Sequence, residues 1–313
     1  MPNASQLAVE LVTAVRCAVS KKRLFSRVLV WAVALVLVAL PAAAQTPAPT
    51  LAVNSSRPFE IEDNSFFVEE AFNQEAGVVQ TIFGSTFLGD TGWAATITQE
   101  WPAPAMRHQL SFTMPFGRVN GETGPGDVAL NYRYQLLEEK PGQPAIAPRF
   151  TVLMPTGSKS RGLGAGAWGL QLNVPVSKQL RDFYFHGNAG VTWYPSASFA
   201  GPSADRTSTV SDDPSRALTS PFVAGSTIYR VRPMLHLMIE SVVTWQQALI
   251  APGLADRAAF RVLSPGVRTG WNHGDTQYVV GAAVPTTWGP EHADLGVFVY
   301  ASYETAFWHP RKP

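Results

Sequence analysis

The strongest constraint in this sequence is a period of two. In "DVALNYRYQLL", Val128, Leu130, Tyr132, Tyr134 and Leu136 are apolar or aromatic, while Asp127, Ala129, Asn131, Arg133 and Gln135 between them are polar or small. Successive side chains of an extended strand point to opposite faces, so this alternation predicts a strand with two different environments. From about residue 77 onward the unit recurs twelve times, each time followed by turn residues: 77–88, 92–102, 106–117, 126–137, 145–156, 166–179, 182–195, 220–231, 233–247, 257–271, 274–287 and 294–308. Soluble strands usually run about five or six residues, whereas a tilted strand needs about nine to eleven to cross a bilayer. These units are of the second kind, and an even number of antiparallel strands closes with both termini on one side. The expected fold class is all-β, a transmembrane antiparallel β-barrel of outer-membrane type with about twelve strands.

The connections point the same way. One set is short ("PAPA", "LRD", "RVRP", "NHGD", with "EEKPGQPA" the longest) and alternates with a longer set ("RVNGETGPG", "TGSKSRGLG", Ser196 to Ser220, "ALIAPGLAD", "GPEHAD"), of which only the first, "GDT", is short. Short turns on one side and long loops on the other are the asymmetry of outer-membrane barrels. Trp93, Trp101, Trp168, Trp193, Trp245, Trp271, Trp288 and Trp308 all fall at or near strand ends, where interfacial aromatic girdles place an indole ring. Periodicity alone does not say which face is inside, so a soluble β-sandwich is the competing architecture.

Residues 1–44 differ from the rest. Lys21, Lys22, Arg23 and Arg27 precede the apolar run "VLVWAVALVLVAL" and then "PAAAQ", the order of a signal peptide cleaved after Ala44. An uncleaved anchor is the alternative, with a run near the short end for a spanning helix. Removing these residues takes away five of 24 basic and one of 23 acidic residues, leaving 19 against 22. Near-neutral charge argues against a nucleic-acid partner. Cys17, the single cysteine, lies in this leader, so the mature chain has no disulfide, thiolate nucleophile or cysteine metal site. The expected organisation is 1–44 signal peptide, 45–76 N-terminal periplasmic segment or plug, and 77–313 transmembrane barrel.

Several strands obey the rule imperfectly. Pro115, Pro155, Pro175 and Pro285 lie in or near strands, where a closed ladder would miss an N–H, and they predict a ladder that ends or bulges at the rim. At Pro265 the alternation changes phase, leaving that strand's register open. Ahead of the first strand, "FEIEDNSFFVEEAFNQE" carries six acids and no base between Phe59 and Glu75. It reads as an ordered periplasmic lead-in to the barrel, or as a plug folded into the lumen against inward arginines.

Motifs of enzyme chemistry are weak. Gly164, Gly166 and Gly169 fit G-x-G-x-x-G, but a strand-like "LQLNVPVS" follows where a dinucleotide site needs a helix. The mature chain contains no G-x-S-x-G, H-E-x-x-H or G-x-x-x-x-G-K-[ST]. His236 and Glu240 share a strand face but stand about 13 Å apart at that spacing, too far to share a metal ion. No catalytic residue, metal or cofactor is expected.

"GDVALNYRYQLL", "APRFTVLMPTGS", "GLGAGAWGLQLNVPVSKQL" and "FYFHGNAGVTW" together resemble the outer-membrane family labelled "MetA-pathway of phenol degradation", and "FFVEEAFNQEAGVVQT" is similar to the lead-in of some members. The likeness is strongest over residues 66–195. It implies a barrel in the outer membrane of a Gram-negative cell and a transporter-like role, with aromatic compounds as the implied cargo. Taking the apolar face as lipid-facing puts Glu100, Arg107, Asp127, Arg133, Arg149, His186, Glu240 and Glu304 on the inner face, where they would line a solute path or form a salt-bridged polar filling. The expected function is a channel or transporter for small molecules, its partners being outer-membrane lipid and a small solute. A barrel enzyme with a rim site and a structural barrel without flux are the alternatives.

Overall fold

The computed structural model describes residues 61, 63–88, 92–119, 121–198, 215–290 and 293–306. The stretch expected to be a signal peptide, Trp308 and the middle of the Ser196–Ser220 connection lie outside these residues. Twelve staves make up the wall: β1 (Val78–Phe87), β2 (Gly92–Pro102), β3 (His108–Val119), β4 (Glu122–Pro125 and Val128–Tyr134), β5 (Ala145–Ile146 and Arg149–Met154), β6 (Gly169–Leu180), β7 (Phe183–Ala197), β8 (Arg216–Arg232), β9 (Leu235–Ala251), β10 (Leu254–His273), β11 (Thr276–Ala283 and Thr286–Trp288) and β12 (Ala293–Leu295 and Val297–Ala306). Each pairs antiparallel with the next in chain order, and β12 returns to β1 with Val78 opposite Ala306 and Phe87 opposite Val297. The ring is closed, so the sheet has no edge strand.

Burial answers which face is inside. Along β4, Leu130 and Tyr132 are 47% and 39% exposed, while Asn131 and Arg133 are 3% and 2% exposed. The apolar side chains therefore form the outer wall, where Met114, Phe116, Leu172, Ile239 and Val299 also stand exposed. Hydrocarbon is the solvent that suits such a wall; an exposed apolar belt of this extent is foreign to a soluble monomer. Closure and this inside-out burial exclude the two-layer sandwich.

Aromatic residues mark the belt's two borders. Near the short turns, Phe183 lies 5.0 Å from Tyr229 and Trp271 stacks at 5.6 Å on Tyr278. Near the other end stand Trp93, Trp168, Trp193, Trp245 and Trp288, the last four more than a third exposed. Two connections expected as long loops are instead strand. Val119 pairs with Glu122 and Ala251 with Leu254, so "RVNGETGPG" and "ALIAPGLAD" extend the ladders of β3–β4 and β9–β10 past the belt. Backbone pairing continues beyond the bilayer because both chains remain close enough to satisfy each other's polar groups.

The prolines obey one rule. Pro115 on β3 faces the interruption of β4 and accepts a hydrogen bond from the Gly126 N–H at 2.9 Å. Pro175 on β6 faces the interruption of β5, accepting from Ala147 at 3.2 Å, and Pro265 on β10 faces that of β11, accepting from Val284 at 3.0 Å. A residue with no N–H is tolerated where the neighbouring stave has broken its ladder. The breaks therefore sit within the wall rather than only at its rim. The phase of β10 does not change at Pro265: Phe260, Val262, Ser264 and Arg268 all point inward, and Arg261, Leu263 and Trp271 outward. The apparent shift arises because Phe260 and Val262 are apolar side chains on the inner face.

The barrel is not hollow. Residues 63–75 run inside it as an irregular segment without helix or strand. The segment enters from the short-turn side, where Ile61 lies against the backbone at Gly270, and it descends to β1 past the β2–β3 turn, where Asn73 donates to the Met106 carbonyl at 3.2 Å. Its tip, Phe66 to Val68, reaches the middle of the barrel.

Candidate functional site: the lumen and the segment inside it

Inward positions of the staves surround the segment with groups chosen for its backbone and its acids. Glu69 meets two arginines, Arg133 at 3.2 Å and Arg149 at 3.0 Å, and accepts from Asn173 Nδ2 at 2.9 Å. Asn188 takes both backbone groups of Glu69, accepting from its N–H and donating to its carbonyl, each at 2.8 Å. Arg133 spans further, donating to the Glu70 carbonyl at 3.1 Å, the Phe72 carbonyl, and Gln109 Oε1 at 2.9 Å. At the tip, Glu240 Oε1 accepts from the Phe67 and Val68 N–H groups at 2.8 and 3.1 Å, as an anion does at a cluster of backbone donors.

The entering strand of chain is held on the opposite wall. Asp63 accepts from Tyr300 Oη and Ser302 Oγ at 2.6 Å each and from Gln80 Nε2 at 2.7 Å. Arg268 donates to the Asp63 and Asn64 carbonyls at 2.8 and 2.7 Å. Ser65 and Ser226 share a hydrogen bond at 2.8 Å. Burial pushes the Asp63 and Glu69 carboxyl groups above their ordinary value, with Arg268 and Arg133 pulling the other way, so the docked acids depend on those guanidinium groups.

Apolar contacts complete the fit. The Phe66 ring lies 4.9 Å from Tyr300 and 5.3 Å from Phe298, and Phe67 lies 4.8 Å from Phe298. Phe66 occupies a groove that exists because positions 266 and 281 are glycine: a Cβ at Gly281 would fall 2.3 Å from its ring and one at Gly266 3.0 Å. Phe72 packs at 5.8 Å against Tyr184.

Of the residues expected on the inner face, five gather around the segment: Glu100, Arg133, Arg149, His186 and Glu240 are all buried. Glu100 accepts from Gln109 at 2.8 Å and His186 shares a hydrogen bond with Ser177, whose hydroxyl also accepts from the Ala71 N–H. Glu304 is half-buried near the short-turn rim, in register with Gln80 and Gln277. Arg107 is a correction: β3 begins at His108, the alternation does not reach position 107, and the side chain is exposed in the turn. Asp127 sits half-buried in the break of β4, where it holds a loop by accepting from Gly157 at 2.8 Å and Ala165 at 2.7 Å. Asp63, Glu69, Asn173 and Arg268 were not singled out by sequence. The acid-rich run was the one local signal for the first two, and the apolar inward pair before Pro265 concealed Arg268. Among the described residues no group of three His, Cys, Asp or Glu could hold a metal ion.

A closed antiparallel ring, greasy outside and polar inside, is a transmembrane β-barrel of the kind bacterial outer membranes hold. Residues 55–209 match the model of the family described as "Putative MetA-pathway of phenol degradation", which bears out the resemblance read from the strand patterns and takes in the inserted segment. In fold the chain is similar to the crystal structure of an outer membrane channel from Pseudomonas putida F1, with a TM-score of 0.57 and 16% identity over 75% of this chain and 97% of that one. A NanC porin structure aligns at a TM-score of 0.44 and 10% identity, covering 72% of this chain and 98% of that one. No curated protein matches the sequence.

Proposed function

We propose that the chain is an outer-membrane channel for small molecules and that residues 61–76 are its gate. One observation carries the reading: the segment fills the bore on the short-turn side, yet apart from the turn bond that joins it to β1, from the Val78 N–H to the Glu75 carbonyl at 3.1 Å, each hydrogen bond described between it and the wall runs through a side chain. Segment and wall do not share a backbone ladder, so leaving the lumen would break side-chain contacts only and spare the barrel. Twelve staves enclose less space than the 16 to 18 of general porins, which suits small cargo. The family's link to phenol degradation makes small aromatic compounds the first cargo to try.

The experiment exploits the Ser65–Ser226 contact, whose hydroxyl oxygens are 2.8 Å apart. In a Cys17→Ser background, Ser65→Cys with Ser226→Cys would tether segment to wall when oxidised. Liposome swelling by small sugars and conductance in planar bilayers are expected to fall on oxidation and to recover on reduction. Flux unchanged by oxidation would refute the gate, and no flux from any form would refute the channel.

A further inference from the structure

The other end of the bore holds a second obstruction that owes nothing to the N-terminal segment. The connection between β5 and β6, residues 155–168, folds inward over the mouth and is fastened there. Both oxygens of Asp127 are used, accepting from the Gly157 and Ala165 N–H groups at 2.8 and 2.7 Å. Thr156 adds a third tie, its hydroxyl donating to the Gly126 carbonyl at 3.0 Å and accepting from the Val128 N–H at 2.9 Å. The loop packs so closely on itself and on the wall that two of its positions require glycine: a Cβ at Gly157 would lie 2.4 Å from the Leu163 carbonyl oxygen, and one at Gly164 2.4 Å from Asp127 Oδ1.

What this fastening presents to the bore is apolar. Leu163 is 8% exposed and belongs to one buried cluster with Leu88, Ala94, Val119 and Phe260. Ala94 and Val119 come from β2 and β3, and Phe260 comes from β10, on the far side of the ring, so the cluster crosses the lumen. Phe260 is opposite Thr244, next to the girdle residue Trp245, which puts the crossing near the upper border of the belt. An apolar constriction sheds water and so obstructs hydrated ions more than uncharged solutes.

We propose that residues 155–168 form an outer constriction that passes uncharged apolar molecules in preference to ions, with Leu163 and Phe260 as its filter and Asp127 as the positioning residue. The inference rests on the channel reading above and extends it to the cargo's chemistry. It is tested by thiol access at Leu163→Cys in the Cys17→Ser background, using N-ethylmaleimide as the uncharged reagent and a cationic methanethiosulfonate as the charged one. After normalisation to their rates on a free thiol, the maleimide should react at least tenfold faster. Adding Asp127→Asn, or Gly157→Ala should the first variant fold poorly, should abolish the difference. Equal normalised rates in Leu163→Cys alone, or a preference that survives both loop variants, would overturn the constriction. Phe260→Ser should raise potassium chloride conductance severalfold, and unchanged conductance in a protein that conducts would count against the filter. If the native protein conducts nothing and swells no liposomes, the channel reading fails while the labelling contrast still reports whether the mouth is constricted.

Discussion

The proposed gate should open on one substitution, Glu69→Ala. The carboxylate it removes holds Arg133 and Arg149 at 3.2 and 3.0 Å and accepts from Asn173 at 2.9 Å, all out of contact with water. Removing one partner of a buried ion pair costs about 3–5 kcal/mol, most of it from the charge left behind. The lower end applies here, because Arg133 keeps Gln109 and two carbonyls of the segment, and Arg149 keeps Gln171 at 2.8 Å. Undocking would let water reach both guanidinium groups, so the loss falls on the docked state alone. At about 1.4 kcal/mol per tenfold change, about 3 kcal/mol shifts the docked-to-released ratio roughly a hundredfold. Single-channel recording should therefore show an open fraction roughly a hundred times that of the parent, or saturation. Glu69→Gln keeps the shape and one acceptor and should fall between the two. An open fraction within twofold of the parent, in a barrel shown to be folded, would refute the claim that this ion-paired cluster holds the segment.

Four substitutions in the wall carry further expectations. Gly281→Ala would place a Cβ 2.3 Å from the Phe66 ring, so this overpacking should weaken docking by about 1–3 kcal/mol and raise the open fraction without unfolding the barrel. Leu130→Arg would put a charge on the lipid face and should destabilise folding into vesicles by about 2–4 kcal/mol in a urea titration, a loss absent if this face met protein instead. Pro265→Ala should change that same titration by less than about 0.5 kcal/mol, since its N–H position faces the break in β11. Leu263→Pro, two residues away in an intact stretch opposite Ser241, should cost far more.

The wall was legible because its information is local. Alternation at residues 128–136 states both the strand and its two faces, and the staves of the barrel need no other signal to find neighbours in chain order. Failures occurred where a local rule met a boundary or an exception. Arg107 lies one residue ahead of β3, and Phe260 and Val262 are apolar residues on the inner face of β10, which made the true phase of β10 and the role of Arg268 invisible. The segment's docking was legible only as a charge imbalance. Its contacts join residues far apart in sequence: Asp63 to Tyr300 across 237 positions and Phe67 to Glu240 across 173. Pairings at such range leave no periodic trace, yet the composition does carry a physical requirement. Six acids without a base, in a chain that turns Arg133, Arg149 and Arg268 inward, must be placed either in water or against those arginines. Buried cations without partners are too costly for a lumen closed to water. The arginines thus demand an anion from somewhere, and the nearest acid-rich stretch by chain connectivity is the one that leads into β1.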